Sequence, residues 1–142
     1  TKAREVAGGR ERNADEVIVA ADTIVWHQNR IFGKPHSEAE AREMLRSLSG
    51  ASHEVYTGIA ILYGGQEYTD FVRTAGTFRQ LDEEEITAYI ASKEPMDKAG
   101  AYGAQGKGAL FVKRIDGDFF NVMGLPLCRL GEMLKETGVK LL

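Results

Sequence analysis

Residues 17–25, VIVAADTIV, place a carboxylate, Asp22, in the middle of a run typical of a buried strand. A carboxylate in such a setting needs a cation, hydrogen bonds or a proton. One interpretation is a structural aspartate that accepts hydrogen bonds from loop amides. The other is a general base or a metal ligand, since magnesium often binds one or two carboxylates together with substrate phosphates. Asp22 is therefore the first candidate for catalysis and for metal binding.

A second candidate is Lys34, which stands between Gly33 and Pro35 in the sequence FGKP. In one interpretation its ammonium group is simply solvated in a turn. In the other it binds phosphate oxygens as a point charge. The proline ends the second arm of a predicted hairpin, and this hairpin brings Lys34 to the end of the strand that carries Asp22.

The segment from 95 to 108, PMDKAGAYGAQGKG, has no regular apolar period and is predicted to be a loop. Glycines at positions 100, 103, 106 and 108 allow the backbone to approach a ligand closely. Lys98, Gln105 and Lys107 add two cations and an amide that can bind an anion or a base edge. The segment lacks the Gly-Lys-Ser/Thr ending of a Walker A loop, so it is not predicted to be one.

The remaining reactive side chains are interpreted as structural. The three histidines have no metal-ligand spacing and are expected at the surface or in structural positions: His27, His36 and His53. Cys128 has no partner histidine and is expected to pack in the core. Trp26, Phe119 and Phe120 are expected to be core or hairpin aromatics.

The bulk composition narrows the class of protein. The chain has 142 residues, a net charge of −3, 43% hydrophobic and 27% charged residues, typical of one globular domain over residues 1–142. A mildly acidic protein of this kind lacks the positive electrostatic potential that attracts the phosphate backbone of nucleic acids. No apolar run approaches the roughly 20 residues needed to span a bilayer. The single cysteine fits a reducing compartment, so a cytoplasmic protein without nucleic-acid or membrane partners is expected.

The elements that must position these residues alternate between strand and helix patterns. Strands are predicted over residues 16–26, 31–35, 53–63, 67–79 and 109–115, with a return strand over 118–123. Helices are predicted over residues 1–12, 37–50, 81–90 and 126–138. Such an order favours an α/β fold with a mixed, strongly twisted sheet and flanking helices.

Taken together and in this order, these segments resemble the Maf family of nucleoside triphosphate pyrophosphatases. The resemblance covers nearly all of residues 16–128 and is carried by VIVAADTIV, GKP, MLRSLSG with HEVYTG, LDEEEITAYI, EPMDKAGAYGAQGKGALFVKRIDGD and NVMGLPL. It implies a fold related to inosine triphosphate pyrophosphatases. It also implies cleavage of a nucleoside triphosphate to the monophosphate and pyrophosphate with a divalent metal, Mg²⁺ or Mn²⁺.

The resemblance also implies roles for individual residues. Asp22 matches the catalytic or metal-linked carboxylate, and Lys34 matches a phosphate-contacting lysine. Lys98 or Lys107 is expected to hold further phosphate oxygens. Lys2 matches a family lysine on the preceding helix.

Substrate choice is expected to depend on Thr23 and Gln105. The stretch DKAGAYGAQG looks like the members that act on dTTP and UTP, whereas the branch preferring 7-methyl-GTP tends to carry glutamate in place of Gln105. A neutral amide pairs with a pyrimidine edge, while a carboxylate suits a cationic methylated guanine.

The N-terminus departs from the family pattern. The family opens with a strand, a Ser-x-Ser-Pro-Arg-Arg loop and a further glutamate, and this sequence, which begins at Thr1, contains no match to them. The expectation is a domain incomplete at its N-terminus, with weak or no activity in isolation. A non-catalytic nucleotide-binding regulator of cell division and a structural fragment stay open as alternatives. Domains of this kind often pair, so a homodimer is among the expectations.

Overall fold

A computed structural model describes residues 16–142, so Lys2 and the helix predicted over residues 1–12 lie outside the described part. The strands are β1 (Ile18–His27), β2 (Arg30–Phe32), β3 (Ser52–Tyr63), β4 (Gln66–Phe78) and β5 (Val112–Asp116). The helices are α1 (Glu38–Leu48), α2 (Glu83–Ala91), α3 (Phe119–Val122) and α4 (Leu127–Glu136). Three 3₁₀ turns, at Glu94–Asp97, Ala99–Ala101 and Lys107–Leu110, lie between α2 and β5.

The five strands form one sheet in the order β2-β1-β3-β4-β5, and every described pair is antiparallel. Two-residue turns join β1 to β2 and β3 to β4, and both residues of each turn have positive φ, as the tightest hairpins require. In the first turn these residues are Gln28 and Asn29, and in the second Gly64 and Gly65. The register places Thr23 opposite Thr57 and Asp22 opposite Gly58.

Side-chain caps begin the two long helices that follow β2 and β4. The Ser37 hydroxyl accepts a hydrogen bond from the Glu40 amide at 3.1 Å, and this contact begins α1. Asp82 and Glu85 form a reciprocal capping box at the start of α2. These local signals are legible in the sequence, and both predicted helices are confirmed.

Two apolar clusters occupy opposite ends of the same face of β3, because alternate residues of a strand point to the same side. At one end Val55 packs with Phe78 and with α1 and α2, whose Leu45 and Ile86 are fully buried. At the other end Ile59 and Ile61 pack against α4 through Leu130, Met133 and Leu134. Thr57 lies between the two clusters and divides the face into two lobes.

The α/β class and the flanking helices are confirmed, while the described part of the sheet is antiparallel throughout rather than mixed. The return strand predicted over residues 118–123 is wrong. Asp118 accepts a hydrogen bond from the Phe120 amide and caps the short helix α3, which inserts Asn121 beneath the sheet. Among residues 16–142, no helix is long and apolar enough to cross a lipid bilayer.

Candidate active site

A cleft of about 270 Å³ opens where β1 and β3 meet the glycine-rich loop and the end of α3. Its walls combine apolar side chains with hydroxyl and charged groups: Thr23, Val25, Lys34, Val55, Asp97, Lys98, Ala99, Tyr102, Val122, Met123 and Gly124. Strands β1 and β3 supply the floor, the segment after β2 supplies Lys34, and the glycine-rich loop supplies Lys98. The structure therefore brings together three of the predicted substrate-binding residues, Thr23, Lys34 and Lys98.

The glycine-rich loop reaches this position because Gly100 docks on the hairpin. Its amide donates to the carbonyl of Gly33 at 3.1 Å. Gly100 has a φ of +71°, and a Cβ at this position would lie 2.8 Å from Cγ2 of Val25. Only glycine fits such a contact without strain, so this residue holds Lys98 beside the segment that carries Lys34.

The charged groups of the cleft are two lysines and one aspartate. Lys98 Nζ lies 3.2 Å from Oδ1 of Asp97; the Lys98 side chain is partly exposed and the Asp97 side chain is exposed. The hydrogen bond from Lys98, together with the positive charges of Lys98 and Lys34, lowers the pKa of Asp97. With Asp97 ionised, the cleft keeps an excess of one positive charge, which favours an anionic ligand.

A buried, hydrogen-bonded polar group lies behind Thr23, which lines the cleft. The Thr23 and Thr57 hydroxyl oxygens are 2.9 Å apart, and the Thr57 hydroxyl donates to the carbonyl of Asn121 at 3.3 Å. The side-chain nitrogen of Asn121 in turn lies 2.9 Å from Thr74 Oγ1 and 3.0 to 3.1 Å from the carbonyls of Val72 and Val55, so its two hydrogens are shared among three acceptors. Thr57, Thr74 and Asn121 are fully buried. Sequence analysis did not identify Thr57 or Asn121, whose partners are 34 to 66 residues away.

Asp22 does not lie in this cleft. The prediction that it is buried is wrong: its side chain is exposed and lines a separate depression with Gly58, Thr69 and Asp70. The physical reason is strand alternation, which turns Asp22 away from the face occupied by Thr23. Strand β2 pairs only with Val25 to His27, so the outer edge of β1 from 18 to 24 has no strand partner among residues 16–142. Asp22 and Thr23 therefore lie on opposite faces of the sheet, beside the same outer edge of β1.

Gln105 and Lys107 are exposed in the turn that follows the cleft, and neither lines it. This turn wraps around Glu94, whose carboxylate accepts hydrogen bonds from the Lys107 amide at 2.9 Å and the Gly108 amide at 3.0 Å. The Tyr89 hydroxyl also donates to Glu94 and accepts from the amide of Gly103. Glu94 thus positions the turn that presents Gln105.

The pKa of Glu94 reflects these contacts. Burial alone would raise it, but the three hydrogen bonds and the charge of Lys98 outweigh burial and lower the pKa. Burial and the bond to Glu94 raise the pKa of Tyr89. This clamp was not predicted from the sequence, because Glu94 binds amides that lie 13 and 14 residues further along the chain.

The described residues do not form a metal site by themselves. Residues 16–142 contain no group of three or more His, Cys, Asp or Glu side chains placed to hold an ion. Asp22 fits the other kind of magnesium site, in which one carboxylate completes a shell formed largely by substrate phosphates and water.

The remaining predictions on reactive residues are partly confirmed. His27 and His53 are buried and structural, with the ring nitrogens of His27 bonded to the carbonyls of Ser47 and Ser52, and His36 is exposed. Cys128 is exposed rather than packed in the core, because α4 turns Leu130, Met133 and Leu134 inward instead. Phe119 and Phe120 lie in α3 with side chains 42% and 48% exposed, so their prediction as core or hairpin aromatics is also wrong.

Comparison with known proteins places the chain in a family. The family described as Maf-like protein matches residues 1–137. A dTTP/UTP pyrophosphatase of Bacillus cereus is 56% identical over 129 residues, which make up 91% of this chain and 68% of that protein. Proteins of the same name from Bacillus thuringiensis subsp. konkukian and Bacillus anthracis are 55% and 54% identical over the same coverage. The chain belongs to the Maf family, as its motifs predicted.

Proposed function

We propose that this protein hydrolyses dTTP and UTP to the nucleoside monophosphate and pyrophosphate. Three relatives from Bacillus that carry the name dTTP/UTP pyrophosphatase support the substrate class, with 54 to 56% identity. The single geometric observation that carries the proposal is the cleft. It combines two lysines with a hydroxyl group and apolar walls, which suits a ligand that is anionic at one end and flat at the other.

In this proposal the substrate lies across the open edge of β1. Lys34 and Lys98 hold phosphate oxygens, and the base packs against the apolar side chains near Tyr102 and Met123. Thr23 hydrogen-bonds the base from the cleft side. Gln105, on the turn held by Glu94, contributes a neutral amide to the same substrate.

Asp22 borders the same edge from the opposite face and is the proposed general base. It takes a proton from a water molecule that attacks the α-phosphorus, the bond from that phosphorus to the bridging oxygen breaks, and pyrophosphate leaves. Its exposure fits a role at the surface of a bound substrate better than a structural role. Asp22 is also the residue that would bind a divalent cation, and such a cation supplies charge neutralisation on the triphosphate.

The compartment and the partners follow from the same proposal. A nucleoside triphosphate is the expected partner, and the cytoplasm, where such substrates are abundant and a lone exposed cysteine stays reduced, is the proposed location. The homodimer expected from the sequence stays a prediction, and molar mass in solution tests it.

The experiment measures pyrophosphate release from dTTP, UTP, CTP and 7-methyl-GTP with magnesium or manganese. Asp22→Asn is expected to lower turnover at least about 100-fold, and the melting temperature of the variant shows whether it is folded. Asp116→Asn is the matched control, an exposed aspartate at the end of β5, and it should retain activity. Near-normal turnover in Asp22→Asn would remove this residue from the mechanism. Tight UTP binding without pyrophosphate release by the wild-type protein would favour the regulator instead.

A further inference from the structure

We propose that Thr57, a buried residue that does not line the cleft, determines the preference for uracil and thymine over cytosine by fixing the direction of the Thr23 hydroxyl. The inference rests on the proposed function and deepens it. Thr57 is a positioning residue here, because it acts on the base only through Thr23. Thr57 sets the direction of the Thr23 hydroxyl because only two hydroxyl hydrogens, one from each threonine, are shared among their contacts.

The count begins with Thr57, which has one hydroxyl hydrogen and no exposed surface. Two oxygen atoms lie within its reach, the carbonyl of Asn121 at 3.3 Å and Oγ1 of Thr23 at 2.9 Å. The carbonyl accepts only. If Thr57 donates to the carbonyl, Thr23 must donate to Thr57, and both contacts become hydrogen bonds. If Thr57 donates to Thr23, only one of the two forms, because the carbonyl of Asn121 then keeps just the bond from the backbone amide of Gly124 at 3.0 Å. The first arrangement is therefore favoured by one buried hydrogen bond.

The carbonyl of Asn121 is held in place, because the side chain of this residue hydrogen-bonds to Val55, Val72 and Thr74 at distances of 2.9 to 3.1 Å. The arrangement with two hydrogen bonds is therefore stable. The Thr74 hydroxyl donates to the carbonyl of Asp118 at 3.1 Å, which fixes the start of α3. The polar group is therefore rigid, and the orientation of the Thr57 hydroxyl is set before any ligand binds.

The consequence appears at Thr23, which is partly buried and faces the cleft. With its hydrogen directed to Thr57, the Thr23 oxygen presents lone pairs to the ligand and acts as an acceptor. Uracil and thymine carry a hydrogen on N3 and can donate to it. Cytosine carries a lone pair on N3, so the two acceptors would face each other. A site built to accept a hydrogen bond discriminates against a base that lacks the donor.

The experiment compares kcat/KM for UTP and CTP in the wild-type protein, Thr57→Val and Thr57→Ser. Valine keeps the shape of threonine but frees the Thr23 hydroxyl to rotate and donate, so the UTP-to-CTP ratio should fall by about tenfold, the change expected for one hydrogen bond. Serine retains the hydroxyl and should retain the ratio. A merely structural role for Thr57 would lower both rates together and leave the ratio unchanged.

An unchanged ratio in a folded Thr57→Val protein overturns the inference and leaves the proposed function intact. If Thr57→Val does not fold, the wild-type protein and Thr57→Ser are tested with 3-methyluridine triphosphate, which lacks the N3 hydrogen; hydrolysis of this analogue as fast as UTP overturns the inference. Absence of pyrophosphate release from UTP and dTTP in the wild-type protein is the separate result that refutes the proposed function, and the inference falls with it.

Discussion

The turn that presents Gln105 is held so closely against Glu94 that a single methyl group should displace it. A Cβ added at Gly106 would lie 2.0 Å from Oε1 of Glu94, whereas ordinary van der Waals contact begins at 3.4 Å. Gly106 has a φ of −100°, outside the left-handed region that favours glycine. Most of the cost of Gly106→Ala should therefore come from the contact with the carboxylate.

The magnitude follows from the hydrogen bonds that Glu94 must give up. A retreat of about 1 Å takes the carboxylate out of hydrogen-bond range of the Lys107 and Gly108 amides, which it now accepts from at 2.9 and 3.0 Å. A hydrogen bond to a charged group contributes about 1.5–3 kcal/mol, and water replaces part of it at this half-buried site, so we expect a loss of about 2–4 kcal/mol. For a chain of this size the melting temperature should fall by roughly 6–14 °C.

The assay is thermal unfolding of four proteins: wild type, Gly106→Ala, Glu94→Ala and the double variant. Removing Glu94 removes the clash, so Gly106→Ala should cost almost nothing in the Glu94→Ala background. Gly131→Ala is the matched control, because no atom lies within 4 Å of the added Cβ in α4 and alanine is favoured in a helix. Wild-type melting of Gly106→Ala, or an equal cost in both backgrounds, would refute the account of the clamp.

Three further predictions concern the cleft and the core. Lys34→Gln should raise KM for UTP, because Lys34 lines the cleft. The control is Lys113→Gln, which replaces an exposed lysine on β5 and should leave KM unchanged. If steady-state kinetics give Lys34→Gln the same KM as the wild-type protein, Lys34 does not bind the phosphates. Gly100→Ala should lower the free energy of unfolding in urea by about 2–3 kcal/mol, because it combines a left-handed φ with overlap on Val25; an unchanged urea midpoint would contradict this. Burial, with the nearby His27, lowers the pKa of His53 from 6.5 to about 4. The unfolded chain therefore binds the proton first, and stability should fall as pH decreases from about 6.5 to about 4, by up to about 3 kcal/mol. His53→Gln should flatten this dependence, and a parallel pH profile of the two proteins would exclude His53 as its source.

Several features could be predicted from the sequence because their causes are local. The caps at Ser37 and Asp82 lie within four residues of the amides they bind. The hairpin turn at Gly64 and Gly65 depends on residues that tolerate positive φ. The apolar periods of α1 and α4 lie within single helices, and the motifs that identify the family are contiguous segments. In each case the residues that specify the local structure lie within the same short segment that adopts it.

Other features depended on which face of the sheet the rest of the chain covers. Strand alternation alone predicts that Asp22 and Thr23 point apart, but only the packing of the two lobes decides that Thr23 faces the cleft and Asp22 does not. The segment over residues 118–123 follows a turn at Asp116 and Gly117 and is predicted to return as a strand, yet it forms α3, in which Asn121 satisfies carbonyls of β3 and β4. Apolar pattern could not reveal this use of a polar side chain.

Local sequence patterns therefore predicted the family, the main helices and hairpins, and three of the residues that line the candidate site, Thr23, Lys34 and Lys98. The tertiary structure decided which of those residues meet, and it added Glu94 and Thr57, which hold the glycine-rich turn and the Thr23 hydroxyl. Their partners lie 13 to 64 residues away in the chain. Such contacts leave no periodic signal, because a buried polar group is satisfied by whatever atom the fold brings within about 3 Å.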